Sequence, residues 1–167
     1  MKTVKGNLIR LALKGHFDII AHGCNCFCAQ KSGIASAMVS TFGTNDPDKY
    51  SLEHISRRGD EQKLGMIQSH TFALPHALNF IDTIIPITDR KELSVVNCYT
   101  QYSAGTDKLY LDYDALGLCL DRINKNFDGK VVGLPKIGCG LAGGDWRIVS
   151  EMIEDILTDV DVTIVEL

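Results

Sequence analysis

The feature that most constrains this chain is an alternation. Short apolar runs take turns with longer stretches whose apolar residues recur at helical spacing. Residues 17–22, 65–72, 80–87, 94–102, 130–135 and 161–167 read as strands, and 33–42, 111–126 and 146–157 as helices. In the second helix Leu111, Ala115, Leu116, Leu118, Cys119, Leu120 and Ile123 fall close to a 3.6-residue period. Strands that alternate with helices imply an α/β fold with a largely parallel sheet covered on both faces and right-handed connections. The polar stretch 44–63, with Pro47, Arg57, Arg58 and Gly59, is read as a helix with a flexible flank. No repeat, linker or low-complexity tract divides the 167 residues, so a single domain over 1–167 is expected.

Charge narrows the function classes. A net charge of -4 argues against a nonspecific binder of nucleic acid or anionic membrane, which needs an excess of Lys and Arg. An anionic small ligand stays open, because backbone N–H groups bind phosphate without side-chain charge. The opening Met1–Gly6 lacks the apolar core of a secretory signal, and no run reaches the roughly 18 apolar residues of a membrane span. A cytoplasmic monomer with reduced thiols and no membrane partner is expected.

Two loops leave predicted strand ends, which is where open α/β sheets bind ligands. The first runs His22-Gly23-Cys24-Asn25-Cys26-Phe27-Cys28-Ala29-Gln30-Lys31-Ser32-Gly33-Ile34-Ala35. Gly33 opens a helix, so the N–H groups around Ser32 to Ala35 suit a phosphate; Ser32 as an ordinary helix cap is the plainer role. The second runs Pro135-Lys136-Ile137-Gly138-Cys139-Gly140-Leu141-Ala142-Gly143-Gly144-Asp145-Trp146, with four glycines in seven residues. It matches neither a Walker motif nor the dinucleotide fingerprint of a first βα turn, yet its bare backbone suits a diphosphate. Asp145 also has a capping role open to it. Cys24, Cys26 and Cys28 lack zinc spacing, so no metal and no cofactor is expected. His16, His54, His70 and His76 lie outside both loops and read as surface or packing residues.

Four segments in order resemble the macro domain family: Val4-Lys5-Gly6-Asn7-Leu8, Ala21-His22-Gly23-Cys24-Asn25-Cys26, Ser32-Gly33-Ile34-Ala35 and the second glycine loop. The resemblance covers the chain from about Val4 to the terminal strand. It implies a mixed, mostly parallel sheet sandwiched between helices, and ADP-ribose as ligand. Asn7 stands where the family usually has the Asp that holds the adenine amino group, and Leu8 would offer its N–H to the same ring. Asn25 would bind the distal ribose. Ser32, Gly33, Ile34 and Ala35 would hold one phosphate; Gly138, Cys139, Gly140, Leu141, Ala142 and Gly143 would cover the other. Trp146 or Tyr102 would line the ribose pocket, core packing being the alternative for each.

Within the family the His-x-Cys-Asn-Cys stretch is similar to the yeast-type ADP-ribose-1''-phosphate phosphatases and their phage and bacterial relatives, which are metal-independent. The resemblance implies a catalytic His22 that moves a proton, with Asp145 orienting the His or a water. A second branch, the glycohydrolases of terminal ADP-ribose, uses a Lys and an Asp; here residues 98–103 hold no Lys, and the Asp position is Ala142. The expected activity is therefore phosphate release from ADP-ribose 1''-phosphate. The alternatives are a non-catalytic ADP-ribose reader and a hydrolase that strips ADP-ribose from protein or nucleic acid.

Overall fold

A computed structural model describes residues 1–44, 57–74 and 89–167. Among these residues six strands form one sheet: β1 (Lys2–Lys5), β2 (Ile19–Asn25), β3 (Ile67–Ala73), β4 (Glu92–Gln101), β5 (Val131–Leu134) and β6 (Asp161–Glu166). Their order is β1-β6-β5-β2-β4-β3. Every neighbouring pair is parallel except β3 with β4. The sheet is mixed and mostly parallel, as the alternation implies.

Among the described residues four helices cover it: α1 (Leu8–Leu13), α2 (Gly33–Phe42), α3 (Tyr113–Asn126) and α4 (Trp146–Ile156). Alternation along the strands sends side chains to two cores. Ile20 and Val95 face one side with Leu8, Ile9 and Ala12 of α1 and Met38 of α2. Ile19, Ala21, Val96 and Cys98 face the other with Leu116, Leu120 and Ile123 of α3 and Val149 and Ile153 of α4. The helices after β1 and β2 thus lie on one face, and those after β4 and β5 on the other.

That division locates the site. Strands β2 and β5 are neighbours, but their following helices leave toward opposite faces. A crevice must open between the two departing loops, outside the carboxyl ends of the strands. The ladder there is short: β2 registers with β5 only at Ile19↔Val132 and Ile20↔Gly133, whereas its pairing with β4 runs along the whole strand to Asn25↔Gln101. Asp18 fastens the closed end. Its backbone N–H donates to Val131 O at 2.9 Å, and its carboxylate accepts from Val131 N–H at 2.8 Å and Arg90 Nε at 2.7 Å. Burial raises its pKa, but the Arg90 and Val131 hydrogen bonds outweigh that and hold the carboxyl below its usual value.

Some readings change. Strand β1 and helix α1 were not legible: β1 is exposed along its length and exists by pairing with β6, and α1 has only six residues. Of the stretch expected to be helical, residues 44 and 57–63 are described, and their one helical element is a 3₁₀ turn at Glu61–Lys63 that ends in a fully buried Lys63 with Nζ 5.8 Å from the Tyr99 ring centre. The expected strand at 80–87, His54 and His76 lie outside the described residues. No helix among the described residues is long and apolar enough to cross a membrane.

Candidate ligand-binding site

A cavity of about 580 Å³ lies in the crevice, over the carboxyl ends of β5, β2 and β4. Its size fits the range of ~300–1,000 Å³ usual for small-molecule sites. One lip is the loop from β2 to α2, the other the loop from β5 to α4. The segment after β4, with Gln101, Ala104, Gly105 and Thr106, closes one end.

On the first lip Asn25, Ser32, Gly33, Ile34 and Ala35 line the cavity. Ser32 stands at the N-cap of α2 but makes no capping hydrogen bond, unlike Asn7, Asp112 and Asp145 at the other helices. The first helical bond of α2 runs from Ser36 N–H to Ser32 O at 3.3 Å. The N–H groups of Gly33, Ile34 and Ala35 are therefore left without helical acceptors on the cavity wall. Gly33 has a φ of +59° with open space around its Cβ position, so conformation rather than crowding selects glycine.

On the second lip Gly138, Cys139, Gly140, Leu141 and Ala142 line the cavity. The N–H groups of Gly138, Gly140, Leu141 and Ala142 make no backbone hydrogen bond among the described residues, while Cys139, Gly143 and Gly144 donate to Lys136, Gly140 and Gly138. A Cβ on Gly144 would collide with Leu111 Cδ2 and stand 2.8 Å from Gly138 O, so the loop folds this tightly only with glycine there. Two sets of unspent N–H donors thus border one cavity, a suitable seat for two linked phosphates. Lys31 and Lys136 also line it; Lys136 pairs with Glu166 at 2.9 Å and stands 5.4 Å from the Trp146 ring centre.

Other expected residues fall elsewhere. Asn7 is spent on capping α1, its Oδ1 accepting from Arg10 N–H at 3.0 Å, and Leu8 is buried in the core. Both follow the carboxyl end of β1 at the same sheet edge but do not line this cavity. Gly143 and Trp146 also lie off the wall, the latter packed against the core of α3 and α4. Tyr102 is off it too, in edge contact with Phe27 at 5.3 Å. Asn25 lines the cavity, but its amide serves its own loop: Oδ1 accepts from Phe27 and Ala29 N–H, and Nδ2 donates to Ala29 O.

The expected His22–Asp145 pair is corrected. His22 is fully buried and does not line the cavity. It follows Ile20 in alternation and points toward the α1 and α2 side, where Nε2 bonds Asn97 Oδ1 at 2.9 Å. Burial pushes its pKa down to about 4, against an opposing contribution from the Asn97 bond. Asp145 caps α4 through Arg147 N–H at 2.9 Å and pairs with Arg147 Nη2 at 2.8 Å. Its side-chain hydrogen bond with Arg147 holds its pKa below the usual value. The structure gives the two residues no contact and no shared place on the cavity wall.

Burial pushes the Cys24 thiol well up, and Cys26 and Cys139 up to about 11. Residues that sequence reasoning missed are Gln30, Lys31, Lys136 and the segment 101–106. The last has a detectable signal: β4 pairs in parallel with β2, so its carboxyl end must reach the same edge.

No family model matches the sequence. An uncharacterised 17.5 kDa protein of the tk-vs intergenic region of enterobacteria phage T4 is 28% identical over 173 residues, covering 99% of this chain and 96% of the relative. Among solved structures, the macrodomain of Thermus aquaticus DarG superposes with a TM-score of 0.63 at 17% identity, covering 99% of this chain and 97% of that one. Thermosipho africanus DarTG, solved in complex with ADP-ribose, gives a TM-score of 0.61 at 15% identity, covering 99% of this chain and 41% of that one.

Proposed function

We propose that this chain, which has the macrodomain fold, binds ADP-ribose in the crevice between β2 and β5. One observation carries the reading: two sets of unspent backbone N–H groups, at Gly33–Ala35 and at Gly138, Gly140, Leu141 and Ala142, line a single cavity. A diphosphate is the ligand class that uses both, and ADP-ribose extends from it in two directions. Its adenine would lie toward β1, where Asn7 and Leu8 follow the strand end; its terminal ribose would lie toward the ends of β2 and β4. Titration calorimetry with ADP-ribose tests this. Micromolar binding is expected, and Gly33→Asp, which places a carboxylate among the first set of donors, should abolish it. Undiminished binding by that variant would remove the diphosphate from this lip.

A second reading is phosphate release from ADP-ribose 1''-phosphate. Lys31 and Lys136 on the wall favour it, since they add cationic charge beside the two donor sets for a third phosphate. His22 would act in it only from beneath the site, as a buried neutral support. Against removal of ADP-ribose by a Lys–Asp pair, Gln101 and Ala142 both line the cavity, and neither side chain can attack or relay a proton. Parallel incubation with ADP-ribose 1''-phosphate and with ADP-ribosylated protein or DNA separates these activities from binding alone. Binding without release of either product makes the chain a reader.

A further inference from the structure

The two lysines on the cavity wall differ in their partners. Lys31, on the first lip, has no ion pair among the described residues. Lys136, at the root of the second lip, has its Nζ 2.9 Å from Glu166 Oε1 and 5.4 Å from the Trp146 ring centre. The two side chains of the pair are 44% and 33% exposed, so its ammonium stays within reach of a ligand. An ammonium has three donors, and one carboxylate oxygen takes one of them.

The topology places this pair at one end of the cavity. Lys136 follows the end of β5, and Glu166 closes β6. The sheet order is β1-β6-β5-β2, so the pair spans the strands between β1 and the diphosphate crevice. Glu166 registers with Lys5, and its backbone oxygen accepts from Gly6 N–H at 2.7 Å, one residue before Asn7. A nucleotide with its diphosphate between the lips and its base toward Asn7 and Leu8 must lay the intervening ribose beside Lys136.

We propose that the Lys136–Glu166 pair selects for an unphosphorylated adenosine ribose. Lys136 donates to a hydroxyl of that sugar, and Glu166, held against the same ammonium, turns away a ligand with a phosphate there. The inference rests on reading the cavity as an ADP-ribose site with its base toward β1. A lysine already neutralised by a carboxylate suits a hydroxyl, whereas a phosphate would stand beside a like charge. Dinucleotide sites follow the same chemistry: an acidic residue favours the free 2'-hydroxyl, and a cation accommodates a 2'-phosphate. Lys31, without a carboxylate partner, is left as the cation for a phosphate at the other end.

The test is calorimetry with ADP-ribose and with ADP-ribose phosphorylated at the adenosine 2'-oxygen. Wild type should prefer ADP-ribose by about tenfold or more. In Glu166→Gln that preference should shrink by about tenfold, through tighter binding of the phosphorylated ligand, and adding Lys136→Met should remove the gain. Equal binding of both ligands by wild type, an unchanged preference in Glu166→Gln, or a gain that survives the loss of Lys136 overturns the role of the pair. Should the variants not fold, salt carries the test on wild type: raising it from about 20 mM to about 500 mM should narrow the preference, and an unchanged preference overturns the charge argument. Failure of wild type to bind ADP-ribose at all overturns the cavity reading, and the role of the pair with it.

Discussion

The two lips of the cavity solve one problem in opposite ways. The lip from His22 to Ala35 is held by side chains: Asn25 bonds its own loop three times, Gln30 leans on Cys24, and His22 and Asn97 support them from beneath. The lip from Pro135 to Trp146 is held by the backbone, with N–H groups folding back on Lys136, Gly138 and Gly140. The first owes its shape to polar side chains bonded to one another and to their own loop. From Gly138 onward the second can do little beyond gripping negative charge, and almost any side chain added there would obstruct the grip.

The largest expected effect attacks the backbone lip. Gly144→Val drives a branched side chain into Leu111 and the Gly138 carbonyl. Urea unfolding should show a loss of about 3 kcal/mol or more, and calorimetry a loss of ADP-ribose binding. Next comes the support of the other lip. His22→Ala leaves a cavity and strands the Asn97 acceptor, at a cost of about 2–4 kcal/mol in unfolding free energy. The folded fraction should still bind ADP-ribose; a stable variant with abolished phosphate release would instead return His22 to the chemistry.

A third, smaller effect is the pH dependence of that support. The folded pKa of about 4 lies below the ordinary 6.5. Between those values the unfolded chain takes up a proton that folded His22 refuses, so stability falls as the pH drops through the window and is fully present above it. The slope approaches about 1.4 kcal/mol per pH unit from this one group. Thermal melts from pH 7 to 4 should show it, and His22→Gln should flatten it. The smallest effect belongs to Asp145→Asn. The amide still caps α4 and only an exposed ion pair is lost, so melting temperature and ligand affinity should stay at wild-type values. A drop in turnover would place Asp145 at the reacting centre.

The backbone lip was legible in the sequence because glycine density is itself the signal: Gly138 to Ala142 do border the cavity. The helix start at Gly33 was legible for the same reason. The side-chain lip was harder. His22 drew attention as the sole His in either loop, yet its direction depends on strand parity, and counting from buried Ile20 puts it on the same core-facing side. Gln30 offered no signal of type; only its bond to Cys24 marks its place on the lip. Strand β1 was hidden because Lys2 to Lys5 carry no apolar alternation and pair as an exposed edge.

The short ladder between β2 and β5 has a mechanical consequence. Two residue pairs and the Asp18 clasp are what the sheet itself supplies across that seam, with β1, β6 and β5 on one bank and β2, β4 and β3 on the other. A diphosphate gripped by both lips would act as a rivet at the end opposite Asp18. Occupancy would then stiffen the molecule along that seam, and amide exchange at Gly133 and Leu134 would slow in proportion to how firmly the ligand is held.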